Sequence, residues 1–214
     1  MKFPALATVI LFCIWLHFTL KKNSNKEAQI KKEFWDRESE ANNVRKKSLD
    51  DLDYITIPFE TLPFGLMPDV DTIVEAENTV KDLSKGKIVN LTGYTNTDLK
   101  LKYGTANITP LSEYDQNYTS LVTSLQKWGK QLFLYEKYYE ACAVLEFAVQ
   151  TRTDITDTYK LLCEIYTSKL DLSPQEAAEQ VQELIPIAET LNSLSKKRIL
   201  ETLYSYLDEL QNPA

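Results

Sequence analysis

The chain has 214 residues, 43% of them hydrophobic, and its 31 Asp or Glu against 24 Lys or Arg give a formal net charge of −7. The balance is uneven. Residues 1–47 carry 10 Lys or Arg against 5 Asp or Glu and the remainder 14 against 26, so a basic stretch precedes an acidic body that nucleic acid would repel, which excludes nucleic-acid binding. Three cysteines without regular spacing or a C-x-x-C, namely Cys13, Cys142 and Cys163, exclude a disulfide framework and fit a reducing compartment.

Residues 3–20, FPALATVILFCIWLHFTL, contain no charge, and Lys21 and Lys22 follow at once. At 1.5 Å rise per residue the run spans about 27 Å, just enough for a hydrocarbon core. It is expected to be a single N-terminal transmembrane helix. A cleaved signal peptide is disfavoured because no A-x-A-like site follows. A buried core helix is disfavoured because Val9, Leu11, Phe12, Ile14, Trp15 and Leu16 leave no polar face. Trp15, His17 and Thr19 suit a headgroup level. Lys2 alone precedes the run, whereas Lys21, Lys22, Lys26, Lys31, Lys32 and Arg37 follow it. That bias places a single-pass protein in the cell membrane with its C-terminal domain in the cytoplasm. The sequons at Asn90, Asn107 and Asn117 would suit the opposite orientation, and only in a eukaryotic lumen.

Residues 21–53 read as a basic juxtamembrane helix and linker, with Ile30, Phe34, Ala41 and Val44 at helical spacing. Residues 54–118 form a Pro-containing, mixed segment expected to pack on the C-terminal domain. Tyr54-Ile55-Thr56-Ile57 is β-branched and short, and Pro58, Pro63 and Pro68 recur with apolar residues between them, favouring extended backbone. Such a segment covers its own domain or, on a sharper reading, borders a partner groove. A helix capped by Asp69 or Asp71 runs to about Lys85, with Ile73, Ala76, Val80 and Leu83 on one face and Gly86 beyond its end. Residues 88–104 are ambiguous. Alternation of Leu99, Leu101 and Tyr103 argues for a strand, while Asn96 or Thr97 as a cap and Gly104 as a stop argue for a short helix. They are read as irregular, and Thr92 to Asp98 as a turn network of polar side chains.

From Thr109-Pro110 onward the pattern is helical almost throughout. Leu125, Trp128, Gly129 and Leu132 are followed by Ala141, Leu145 and Ala148, and 34 residues beyond the first set stand Tyr159, Leu162, Cys163 and Tyr166. These spacings resemble the tetratricopeptide (TPR) pattern over about residues 120–185. Thr153 departs from it where that pattern often has Pro. Helical stacking at this spacing would bring Gly129 and Ala141 face to face, with Leu132, Leu145 and Tyr166 filling the layer between. Ser173, Pro174 and Glu176 open a further helix as a capping box, with Ala177, Val181 and Leu184 on its inner face, and Pro186 interrupts the helical pattern after Leu184. A last helix from about Ser195 carries Ile199, Leu203, Tyr206 and Leu210 on one face. The expected fold class is therefore mainly α. It comprises the transmembrane helix, an irregular or extended middle segment, and a C-terminal TPR-like helical-hairpin domain over 119–210. Two repeats are too few to stand alone, so residues 54–118 and the last helix would cap them.

Groups for catalysis are missing from the pattern. His17 is the only histidine, so the body has no imidazole base and no zinc ligand set. Five scattered glycines build no phosphate loop. The reading is not an enzyme, with no catalytic, cofactor or metal-binding residues and no small-molecule substrate evident. The function expected is that of a single-pass, membrane-anchored adaptor or scaffold that binds a protein or peptide. Resemblance to TPR proteins implies a concave helical binding face, for which Trp128, Tyr135, Tyr138 and Tyr166 are the candidates. The alternatives are an extracytoplasmic envelope-binding protein and a non-catalytic subunit of a membrane enzyme or transporter complex.

Overall fold

Residues 3–211 are described by a computed structural model. Among them are eight α-helices: α1 (Phe3–Asn42), α2 (Asp71–Leu83), α3 (Asn96–Tyr103), α4 (Ile108–Leu134), α5 (Tyr138–Gln150), α6 (Thr156–Ser168), α7 (Pro174–Glu189) and α8 (Lys196–Gln211), with a 3-10 turn at Thr105–Asn107. They fall into two compact units. The first holds the residues up to Ser48 with Thr95–Ile108, the second Leu49–Tyr94 with the residues from Thr109 on.

In the first unit the apolar N-terminal run is not a helix of its own. It is the beginning of α1, 40 residues long, which continues unbroken through Lys21-Lys22 into the charged stretch. Among the described residues no helix is long and apolar enough to cross a membrane. This overturns the expected transmembrane helix at 3–20, and with it the expected single-pass location in the cell membrane. The residues explain it. The uncharged run is only of minimum length, carries His17 and Thr19 in its last turn, and occupies less than half of a helix whose remainder is strongly charged.

The C-terminal part of α1 is held to α3 by polar groups. Arg37 Nη2 donates to Asp98 Oδ1 at 2.6 Å, Thr97 Oγ1 to Glu38 Oε2 at 2.6 Å, and Lys100 Nζ to Glu38 Oε1 and to Asn42 Oδ1. Hydrogen bonding from Lys100 and then Thr97 lowers the Glu38 carboxyl below the usual glutamate value. The short helix exists because Thr95 and Asp98 form a reciprocal capping box, which also lowers the Asp98 carboxyl. The cap is thus Thr95, one residue before the candidates Asn96 and Thr97, and the stretch read as irregular is helical over 96–103. Gly104 ends it at φ +89°, where the Arg45 carbonyl leaves no room for a Cβ. Asn107, fully buried, donates through Nδ2 to the Lys47 and Tyr103 carbonyls, each at 2.7 Å.

The second unit is built on one apolar core. Its Pro-containing segment covers that core: Ile57 and Leu62 are buried, and Phe64 lies 4.9 Å from the Trp128 ring. The Gly65 amide, at φ +76°, donates to the buried Glu77 carboxylate of α2 at 2.9 Å. Tyr54 pairs with Val89 in a single antiparallel bridge, so the β-branched run makes no sheet among the described residues. Ile73, Ala76 and Val80 of α2 are buried as their spacing predicts, although α2 begins at Asp71 with no side-chain cap.

Helix α4 buries Leu121, Leu125, Trp128 and Leu132 along one stripe, and Gly129 within it lies against Leu145 of α5. Helix α6 contacts α5, α7 and α8, and α7 contacts α8. Ser173 and Glu176 form the capping box at the start of α7, with Pro174 as its first residue. Pro186 does not interrupt α7, which runs on to Glu189. It stands in the last turn, where a missing N–H costs a single backbone hydrogen bond. On α8 the buried residues are Ile199, Leu203 and Leu207.

Helices α4 and α5 end alike. After α4, Lys137 N–H donates to Leu132 O and Glu136 N–H to Phe133 O; after α5, Thr153 N–H donates to Ala148 O and Arg152 N–H to Val149 O. Both are Schellman motifs with a non-glycine residue in the left-handed position, Glu136 at φ 58° and Arg152 at φ 62°. Side chains from elsewhere secure the second turn. Asn90 Nδ2 donates to the Thr151 and Arg152 carbonyls at 3.2 Å, the Tyr118 hydroxyl to Arg152 O at 3.0 Å and the Tyr159 hydroxyl to Thr153 O at 2.9 Å.

Candidate functional site

An open groove of about 430 Å³ lies between α5, α6 and α7 in the second unit. Helix α5 presents Tyr139, Cys142, Ala143 and Glu146 to it, at the i, i+3, i+4 and i+7 positions that share one helical face. The small side chains of Cys142 and Ala143 make its floor, and Tyr139, 72% exposed, stands at its edge. Tyr166 of α6 and, in the connection after it, Leu170 and Leu172 supply a partly apolar wall. Helix α7 closes the other side with Glu176, Glu179 and Gln180.

Three of the ten lining residues are glutamates and none is Lys, Arg or His. The three differ in setting. Glu176 is tied into the α7 cap, where hydrogen bonds from the Ser173 side chain and backbone hold its carboxyl below the usual range. Glu179 is exposed and accepts from the Gln175 amide at 3.3 Å. Glu146 is half-buried, and the Tyr166 hydroxyl donates to its Oε1 at 2.6 Å. Burial, and after it that carboxylate, raises Tyr166 well above the ordinary phenol value, so its hydroxyl stays a donor. Burial pushes the Cys142 thiol up to about 12, with Glu146 adding to the effect, and burial pushes Cys163 up to about 12 as well. At neutral pH both are thiols and not the nucleophilic thiolates. Among the described residues no group of His, Cys, Asp and Glu is arranged to hold a metal ion.

The residues expected at a binding face are dispersed. Tyr166 lines the groove, although it is only 4% exposed and reaches it through the Glu146 carboxylate it orients. Trp128 is fully buried beside Phe64 and cannot meet a partner, because the stripe that places it next to Gly129 is the core face of α4. Tyr135 is exposed and Tyr138 packs edge-on against Phe133, but neither lines the groove. The residues missed were Tyr139, Glu146 and Glu179. A polar and aromatic stripe at i and i+7 on an otherwise buried helix was the available signal.

The sequon asparagines have structural work instead. Asn90 and Asn107 donate through Nδ2 to the backbone carbonyls of two turns, and Asn117 Nδ2 donates to Lys87 O at 2.9 Å. A glycan on the fully buried Asn107 would require that part of the fold to open.

No protein-family model matches the chain, and neither a curated protein nor a solved structure matches it, so residue chemistry and geometry alone carry the functional reading.

Proposed function

We propose that the second unit is a helical protein-interaction module of the TPR kind, which binds a segment of a protein partner rather than transforming a substrate. The observation that carries the reading is the groove between α5, α6 and α7, with an exposed tyrosine above a floor of small side chains. Its volume lies in the range of ligand-sized clefts, and exposed aromatic side chains beside apolar surface are frequent anchors in interfaces. The repeat reading draws support from consecutive short-turned helices over 108–189 and from small, buried Gly129 and Cys163, 34 residues apart. The protonated, buried thiols favour binding over cysteine chemistry.

An aromatic photo-crosslinking amino acid placed at Tyr139, at the groove edge, and separately at the exposed Tyr204 tests this. The expected result is a partner peptide, identified by mass spectrometry, joined at 139 and not at 204. Equal crosslinking from both sites, or from 204 alone, would refute it.

A further inference from the structure

We propose, resting on the interaction-module reading, that the groove recognises a lysine or arginine side chain carried by an otherwise apolar partner segment, with Glu146 as its counter-ion. Three observations converge on this occupant. The first is charge: Glu146, Glu176 and Glu179 line the groove and no basic side chain does. The residues from 48 on, which include the whole unit, hold 26 acidic against 14 basic side chains, so the field around the groove draws cations toward it.

The second is the setting of Glu146. It is half-buried, and the Tyr166 hydroxyl occupies Oε1 at 2.6 Å. No described residue bonds Oε2, which is left to accept from an incoming ammonium or guanidinium group. A carboxylate already oriented by a buried phenol loses little freedom when it pairs, and partial burial strengthens the charge-assisted bond. Glu176 is engaged in the helix cap and Glu179 is exposed, so these two steer the cation more than they fix it.

The third is shape. Cys142 and Ala143 are too small to fill the space beside Glu146, which leaves room for a methylene stem. Tyr139 stands one end of the stripe away, about 10 Å along the helix axis at 1.5 Å per residue, where its ring can cover the stem or the neighbouring apolar residue. Leu170 and Leu172 provide the apolar contact opposite. A purely acidic surface would attract any cation, including free salt. A carboxylate at the base of a partly apolar groove selects a cation borne on a hydrocarbon chain.

The test uses fluorescence anisotropy with the full chain and three labelled pools of short peptides. These share leucine-rich flanks and differ only in a central lysine, arginine or norleucine. Lysine and arginine pools are expected to bind, the norleucine pool about tenfold or more weaker, and binding of the first two to weaken as salt rises. Glu146→Gln, with its thermal unfolding checked against the wild type, is expected to reduce the preference for a cation by about tenfold. Tyr166→Phe is expected to give a smaller loss, because it frees the carboxylate without removing it.

Equal binding of the norleucine and lysine pools, or an unchanged preference in folded Glu146→Gln, overturns the inference. The two proposals fail in different ways. Crosslinking at 139 that persists undiminished in Glu146→Gln overturns only the cation reading, whereas absence of any groove-specific crosslink without that substitution overturns the module itself.

Discussion

Replacing Gly129 with alanine separates the intrinsic helix preference of a residue from the space it is given. Alanine is the better helix former by about 1 kcal/mol in a helix interior, so in an open site Gly129→Ala would stabilise α4. In this structure a Cβ at position 129 would lie 2.6 Å from both Cγ and Cδ2 of Leu145 and 3.3 Å from Cδ1. Carbon atoms in good contact stand about 3.5–4.0 Å apart, so Leu145 must withdraw by about 1 Å. Leu145 is itself fully buried, and overpacking of this kind costs about 1–3 kcal/mol. The net expectation is destabilisation by up to about 2 kcal/mol, opposite in sign to the propensity argument.

A second substitution sharpens the test. Leu145→Ala alone should cost about 2–5 kcal/mol. In the double variant the new methyl group enters the vacated space, so the two effects should fall short of their sum by at least about 1 kcal/mol. Urea unfolding followed by circular dichroism, with fluorescence of the adjacent Trp128 as a local probe in a background where the exposed Trp15 and Trp35 are replaced by phenylalanine, measures all three variants. Additivity within about 0.5 kcal/mol, or a full gain of about 1 kcal/mol in Gly129→Ala alone, would refute the close approach of α4 and α5.

Glu136→Gly and Arg152→Gly should each raise stability by about 0.5–1 kcal/mol in thermal or urea unfolding, since glycine removes the left-handed penalty at each C′ position. The exposed Arg152–Asp53 contact at 3.9 Å is too weak to offset this; a loss of stability in either variant would contradict the turn geometry. Glu38 and Asp98 have lowered folded values, so the stability they confer is fully present above their ordinary values of 4.5 and 3.8 and disappears as pH falls through the lowered ones. Glu38→Gln combined with Asp98→Asn should therefore flatten the acid limb of an α-helix signal monitored against pH, and an unaltered limb would show that these contacts carry no linkage. Iodoacetamide at mildly alkaline pH should label the exposed Cys13 and spare Cys142 and Cys163 until denaturant is added. Rapid labelling of all three in the native protein would contradict the burial of the two core thiols.

Local signals made some elements legible and left others hidden. The start of α7 was readable because Ser173, Pro174 and Glu176 act within one turn, and the inner face of α2 because Ile73, Ala76 and Val80 keep a helical period. Helix α3 was not readable. From Asp98 to Tyr103 it alternates charged and apolar side chains, and its capping residue Thr95 lies among several polar residues of equal capping chemistry. The N-terminal run showed the opposite limit, since its composition suggested an anchor while the helix that contains it continues far into charged sequence. Of the residues that the TPR resemblance implies for a binding face, Tyr166 borders the groove and Trp128 lies in the core, where its helical spacing with Leu125 and Leu132 puts it. The stripe of Tyr139 and Glu146 marks an exposed line on α5 without saying what faces it, and Glu179 carries no signal at all, because a glutamate on a helix looks the same in sequence whether it faces open water or a cleft. Only the juxtaposition of α5 and α7, brought about by the turn after α6, separates the two cases.

The corner between α5 and α6 has a consequence for how far the protein can be dissected. Its three successive carbonyls take their donors from Asn90, Tyr118 and Tyr159, which lie 61, 34 and 6 positions away in the chain. A helical fragment cut at residue 109 would keep both phenols and lose the amide, stripping the Thr151 carbonyl of its donor at a turn that is already conformationally costly. The helical array is therefore not a cassette that can be lifted out of its surroundings. The strap that threads through residues 49–94 acts as its keystone, and swapping or shortening that strap would loosen the end of the array where α5 gives way to α6.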